Sequence, residues 1–207
     1  DGNFTSATNG PTATIDAAGT YTLLITNNTN GCTDTDVVVV TDDFVIPAAV
    51  AGPTFELNCI QTTTVLQGSG ATGAGITYQW STQDGTIVSG ANTLNPTVNE
   101  EGTYNLLVTN TVNGCTDTEQ IVVLENVAPP SLNTLPVSPL TCSVLDRTLT
   151  ANAPPQALLQ WATLDGNIVS GANTPNPVVD EPGLYTVTAT LPLNGCTAVS
   201  QTTLLRE

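Results

Sequence analysis

Histidine, lysine and methionine are absent from the 207 residues, and Arg147 and Arg206 are the only basic side chains. Without histidine there is no imidazole base, no His-ligated zinc and no Ser-His-Asp triad. Without lysine there is no Schiff base, no P-loop lysine and no Lys–Asn cross-link. Eighteen acidic residues bring the net charge to −16. A phosphate backbone would find too few cations to replace its counterions, so no nucleic-acid partner is expected. The same deficit argues against docking on anionic lipid, and no apolar run approaches the ~18 residues of a membrane span. Acidity of this kind suits a long, soluble, self-repelling surface. A chain that starts at Asp1 and holds no Met is expected to be a processed product or an excerpt, with any signal peptide or anchor outside it.

What is present is repetition. "DGTIVSGANTLNPTVNEEGTY" (84–104) and "DGNIVSGANTPNPVVDEPGLY" (165–185) share 15 of 21 positions without a gap, and "DGNFTSATNGPTATIDAAGTY" (1–21) is a diverged third copy. From each DG aspartate to the next NGC cysteine is 31 residues: Asp1 to Cys32, Asp84 to Cys115, Asp165 to Cys196. Successive DG pairs stand 83 and 81 residues apart, which makes a tandem array of roughly 80-residue modules.

Within a module the period is two. In "TYQWST", Tyr78 and Trp80 share one face; in "YNLLVTN", Tyr104, Leu106 and Val108 align, as do Tyr21, Leu23 and Ile25 in the first copy and Tyr185, Val187 and Ala189 in the third. Such alternation marks half-buried strands, and DG, SG, NP and NG dipeptides punctuate them as turns. Thr and Val enrichment suits pleated surfaces, and no segment reads as an amphipathic helix. The expected fold is all-β, a set of sandwiches in an elongated array. Its modules are residues 1–45 (the C-terminal half of a sandwich), 46–128 and 129–207. The joints "DDFVIPAAVAGP" and "ENVAPPSLNTLPVSP" are proline-rich and therefore semi-rigid.

Five cysteines remain to be placed. Cys59, Trp80 and Cys115 follow in order in module two, and Cys142, Trp161 and Cys196 in module three. Pairing within each module, Cys59 with Cys115 and Cys142 with Cys196, would close separations of 56 and 54 residues. Each such bond would stabilise by about 4 kcal/mol on a loop-entropy basis. The alternatives are buried free thiols or metal ligands, although no two cysteines have metal-ligand spacing. Paired cysteines place the chain in an oxidising, extracellular or cell-surface compartment. Cys32 has no earlier cysteine to pair with.

The order Cys…Trp…Cys, together with "NEEGTY", "DEPGLY" and "DAAGTY", resembles immunoglobulin-like sandwiches. The glycine-x-tyrosine pattern is similar to the tyrosine corner that leads into strand F. One departure stands out: Leu106 occupies the place two residues after the tyrosine, and Cys115 comes eleven residues after it. The resemblance then implies a bridge from the A/B region to the start of strand G. "YNLLVTNTVNGCTDTEQIVV" more closely resembles the Ig-like or PKD-like repeats of very large secreted and surface proteins of Bacteroidota. That resemblance implies stalks and fibres of adhesins or gliding-type surface proteins, or spacers beside catalytic domains, carried by the type IX secretion route.

Candidate sites are few. Asp34, Asp36, Asp42 and Asp43 gather near the first joint, where carboxylates could supply Ca²⁺ with oxygens or simply be solvated edge charges. Asp117, Glu119, Glu125 and Glu207 are the sparser counterparts in the later modules. Glu100 with Glu101 and Asp180 with Glu181 read as turn residues rather than a glycosidase pair, because adjacent positions leave no room for a sugar between them. Trp80 and Trp161, in phase with Tyr78 and Leu159, read as core rather than sugar platforms, and Tyr21, Tyr104 and Tyr185 join them. Asn3 and Asn27 open N-x-T sequons. No catalytic residue and no cofactor other than a possible Ca²⁺ is expected. The expected role is a non-enzymatic repeat segment of an extracellular fibre, filament or adhesin stalk. Its alternatives are an adhesive or carbohydrate-binding module and a spacer of a secreted enzyme. Expected partners are further repeats of the same polypeptide or neighbouring fibre subunits, with a glycan or surface ligand if the chain is adhesive. Module one lacks its A, B and C strands, and upstream residues of the same polypeptide, or else a different chain, are expected to complete it and to supply the partner of Cys32.

Overall fold

A computed structural model describes residues 2–6 and 8–207; Asp1, the first of the DG aspartates, lies outside the described residues. All regular structure among the described residues is β. Among the described residues no helix is long and apolar enough to cross a membrane.

The first repeat contributes one antiparallel hairpin, β1 (Gly19–Thr26) and β2 (Thr33–Val40), in register from Gly19 opposite Val40 to Thr26 opposite Thr33. The second contributes β3 (Ala49–Val50), β4 (Phe55–Asn58), β5 (Thr64–Val65), β6 (Ser69–Gly70), β7 (Ile76–Thr82), β8 (Ile87–Ser89), β9 (Thr97–Val98), β10 (Gly102–Asn110) and β11 (Thr116–Asn126). They form a sheet in the order β4-β11-β10-β7 and another in the order β5-β9-β8, with β3 and β6 paired beside them. The third contributes β12 (Asn133–Thr134), β13 (Arg147–Thr148), β14 (Ala151–Asn152), β15 (Leu158–Thr163), β16 (Ile168–Ser170), β17 (Val178–Val179), β18 (Gly183–Thr190) and β19 (Thr197–Leu204). Its sheets run β15-β18-β19 and β13-β17-β16, with β12 on β14. In the second and third repeats two facing sheets, antiparallel apart from the β4–β11 pairing, make tandem immunoglobulin-like β-sandwiches.

Alternation along the strands decides which face turns inward. Tyr104, Leu106 and Val108 on β10, with Ile121 and Val123 on β11, are buried against Trp80, Leu57, Leu66 and Val98. The third repeat packs Tyr185, Val187 and Ala189 of β18 with Trp161, Leu140, Leu149 and Leu204. Trp161 Nε1 donates to the Thr174 carbonyl at 3.1 Å.

One pairing positions the cysteines. β4 runs parallel to the far end of β11, with Phe55 opposite Val123 and Asn58 opposite Asn126. Cys59 therefore sits at the end where β11 finishes, while Cys115 sits just before β11 begins. Eleven strand residues span roughly 35 Å, and a disulfide needs Cα atoms within about 7 Å. The expected Cys59–Cys115 bond is thus ruled out by strand order, and the expected Cys142–Cys196 bond fails for the same reason. There Leu140 bridges Arg206 in parallel, whereas Cys196 precedes the other end of β19. The bond that forms is Cys59–Cys196, between the second and third repeats, with a Cα–Cα distance of 5.1 Å across a separation of 137 residues. Cys32, Cys115 and Cys142 are free thiols.

Candidate functional site at the joint between repeats

The NGC turns are built alike. In the second repeat Asn110 N donates to the Cys115 carbonyl (2.9 Å), Gly114 N to the Asn110 carbonyl (2.8 Å) and Cys115 N to Asn113 Oδ1 (2.9 Å). In the third repeat the donors are Leu191, Gly195 and Cys196; in the first they are Asn27, Gly31 and Cys32. The glycine is required because its φ is +77° at Gly114 and +69° at Gly195, a left-handed region costly for any other residue. The asparagine side chain caps the turn by accepting the cysteine N–H.

The opposing surface is the corner that follows β4. Asn58 N donates to the Gln61 carbonyl (3.0 Å), and Asn58 Oδ1 accepts from Ile60 N and Gln61 N, which fixes Cys59 at the tip. Turn and corner meet at the joint. Cys59 N donates to the Asn194 carbonyl (3.0 Å) next to the disulfide. Asn194 Nδ2 donates to Asn126 Oδ1 (3.0 Å) and to the Ala128 carbonyl (3.1 Å). Asn194 and Cys196 are buried there. A covalent bond and three hydrogen bonds therefore hold the third repeat on the end of the second.

The first joint repeats half of this arrangement. Asn113 Nδ2 donates to Asp43 Oδ1 (3.1 Å) and to the Val45 carbonyl (3.1 Å). Asp43, a candidate calcium ligand, is thus an acceptor for the joint; Asp42 beside it is exposed. Among the described residues no group of three or more His, Cys, Asp or Glu side chains is placed to hold a metal ion. Asp117 Oδ2 and Glu119 Oε2 instead accept the backbone N–H groups of Ala49 and Ala51, each at 2.9 Å, and so fasten β3 to the sandwich.

The DG pair has a structural duty that its recurrence alone does not reveal. Asp84 Oδ1 accepts Thr103 N (2.9 Å) and Thr82 Oγ1 (3.1 Å); Asp165 Oδ1 does the same for Leu184 N and Thr163 Oγ1. The bond from Thr103 N, the largest influence, holds the Asp84 carboxyl below its ordinary value. A Cβ on Gly85 or Gly166 would collide with the hydroxyl of Tyr104 or Tyr185. Each of those hydroxyls donates to the carbonyl four residues back, at Glu100 (2.8 Å) or Glu181 (2.6 Å), and accepts from Thr86 N or Asn167 N. Burial pushes both phenols above their ordinary value. Tyr21 makes the same corner with the carbonyl of Ala17 (2.6 Å) and the N–H of Asn3.

Glu100 and Glu101 lie exposed in the turn before β10. Asp180 accepts from Asn167 Nδ2 at 2.7 Å, and Glu181 is exposed beside it. Trp80 and Trp161 are buried in the two cores. Asn3 and Asn27 are exposed.

No protein-family profile and no curated protein sequence matches this chain. Among solved structures it is similar to an I-band fragment of titin (TM-score 0.42, 15% identity, covering 79% of this chain and 66% of that one). It is also similar to immunoglobulin domains 1–5 of Sidekick-1 (TM-score 0.39, 15% identity, 92% of this chain and 46% of that one). A third similarity is to extracellular domains 3–5 of Drosophila OTK (TM-score 0.37, 14% identity, 92% of this chain and 71% of that one).

Proposed function

We propose that this chain is a structural, non-catalytic segment of an extracellular or cell-surface fibre, filament or adhesin stalk. Its modules are residues 1–45, 46–128 and 129–207. The observation that carries the reading is the Cys59–Cys196 bond: it spends a covalent link on fixing one repeat to the next rather than on stabilising a single core. A pair of domains meant to move independently gains nothing from such a lock, whereas a stalk transmits force through it. The proline-rich joints and the acidic coat serve the same end by limiting bending and lateral association. The absence of His and Lys, and the use of the DG carboxylates to hold backbone, support a role without chemistry. Burial of both tryptophans removes the side chains best suited to stack on a sugar, which disfavours the carbohydrate-binding alternative. The bond requires an oxidising compartment, in keeping with the surface proteins of Bacteroidota that the sequence resembles. Electron microscopy of the native material tests the reading: filaments or stalks are expected, and compact, unextended particles would overturn it.

A further inference from the structure

We propose that Cys59–Cys196 is one rung of a ladder in which each NGC cysteine bonds the corner cysteine of the repeat before it. In this register the partner of Cys115 is a corner cysteine in the half-sandwich that completes β1 and β2. That half lies in the same polypeptide, ahead of its DG pair. Cys142 is the corner cysteine for the NGC turn of a following repeat.

Both halves of the joint recur with their geometry intact. Cys142 stands two residues after buried Leu140, as Cys59 does after buried Leu57, and Thr141 N donates to the Val144 carbonyl at 3.0 Å as Asn58 N does to that of Gln61. On the turn side, Asn113 already makes the two side-chain hydrogen bonds that Asn194 makes at the bonded joint. What differs is the space beside the turn. Ile60 packs against the Cβ position of Gly195, whereas nothing lies within 4 Å of that position on Gly114. Exposure follows suit: Cys196 is buried, Cys115 half-buried and Cys32 exposed.

The hairpin describes the rest of the partner. Leu23, Ile25 and Val38 are 53%, 59% and 58% exposed, although their counterparts Leu106, Val108 and Ile121, in a sheet flanked by β4 and β7 and packed in the core, are 0–3% exposed. Asp34 and Asp36 occupy the positions of Asp117 and Glu119, which hold the N–H groups of β3. One segment with the pattern of residues 46–83 would cover the apolar face, present N–H groups to both aspartates and bring its corner cysteine to Cys115. In the second and third repeats the strand β7 or β15 stands directly before the DG pair of its own sandwich, which is why the same polypeptide is assigned as the source. The expectation that this half bonds Cys32 is thereby replaced: Cys32 faces one repeat further back. Each rung forms as two thiols lose two protons and two electrons, which pass to a disulfide oxidant that is reduced to a dithiol.

Grafting residues 46–83 ahead of Asp1, where Asp84 stands in the second repeat, tests the register in the full chain. Non-reducing peptide mapping should recover the grafted cysteine joined to Cys115, with Cys32 and Cys142 alkylated. A bond from the grafted cysteine to Cys32, or two free thiols in a chain that retains Cys59–Cys196, would overturn it. If the graft does not fold, the same map on protein from its natural source decides the matter. A Cys115 peptide linked to a corner cysteine of the polypeptide ahead of Asp1 supports the ladder. One carrying an alkylated thiol, or linked anywhere else, refutes it. Neither result depends on whether the material is filamentous.

Discussion

Stretching the chain between its ends should reveal a length that the disulfide conceals. Tension entering from the first joint passes along β3 and shears the four-residue pairing of β4 with β11. At Cys59 it crosses to Cys196 and leaves along β19, so of the two hydrophobic cores only Ala51, Leu57 and Leu204 lie on the loaded path. The stretch from Cys59 to Cys196, a sequence separation of 137, cannot extend while the bond holds. At 3.3–3.6 Å per residue this hides roughly 450–490 Å of contour. Single-molecule force spectroscopy with and without a phosphine reductant would measure it as the difference in final contour length. Cys59→Ser should abolish the difference, and Cys115→Ser should leave it intact. Bonds within each repeat would instead hide about 110 residues, roughly 360–400 Å. A difference of that size, or none, would refute the load path.

Leu106→Ala should cost about 2–5 kcal/mol in denaturant titration because the side chain is fully buried. Leu23→Ala, at the same repeat position on the uncovered hairpin, should stay within about 0.5 kcal/mol. Gly166→Ala should destabilise the third repeat by about 1–3 kcal/mol by driving a methyl into the Tyr185 hydroxyl, with exposed Gly10→Ala as a near-neutral control. Burial holds the Tyr104 and Tyr185 phenols above their ordinary value, so folding favours their protonated form. That contribution is fully present below pH 10 and is lost as pH rises through the folded values. Alkaline melts should therefore show falling stability above about pH 10, and Tyr104→Phe with Tyr185→Phe should flatten the fall.

Much of the architecture was legible because its determinants are local. Period-two runs such as Tyr104-Leu106-Val108 mark a buried face wherever they occur, and the fixed DG-to-NGC spacing marks the repeat. The tyrosine corner could be recognised because its hydrogen bond spans only four residues. The disulfide register could not. The order Cys…Trp…Cys places two cysteines in one repeat, but parallel pairing of β4 with the end of β11 puts them at opposite ends of the sandwich. Parallel and antiparallel placements of so short a strand look alike in sequence. The joint itself had one sequence signal: an asparagine two residues before each of Cys32, Cys115 and Cys196. Turn chemistry accounted for that asparagine without revealing its second set of bonds to the preceding repeat. The acidic residues of the first repeat were similarly ambiguous, because Asp34 and Asp36 gain meaning only beside Asp117 and Glu119 holding β3.

The covalent lock between the second and third repeats can be read from a non-reducing peptide map of the 207-residue chain after thiol alkylation. The predicted map holds one linked pair, Cys59 with Cys196, and alkylated Cys32, Cys115 and Cys142. Recovery of Cys59 with Cys115, or of Cys142 with Cys196, would contradict it.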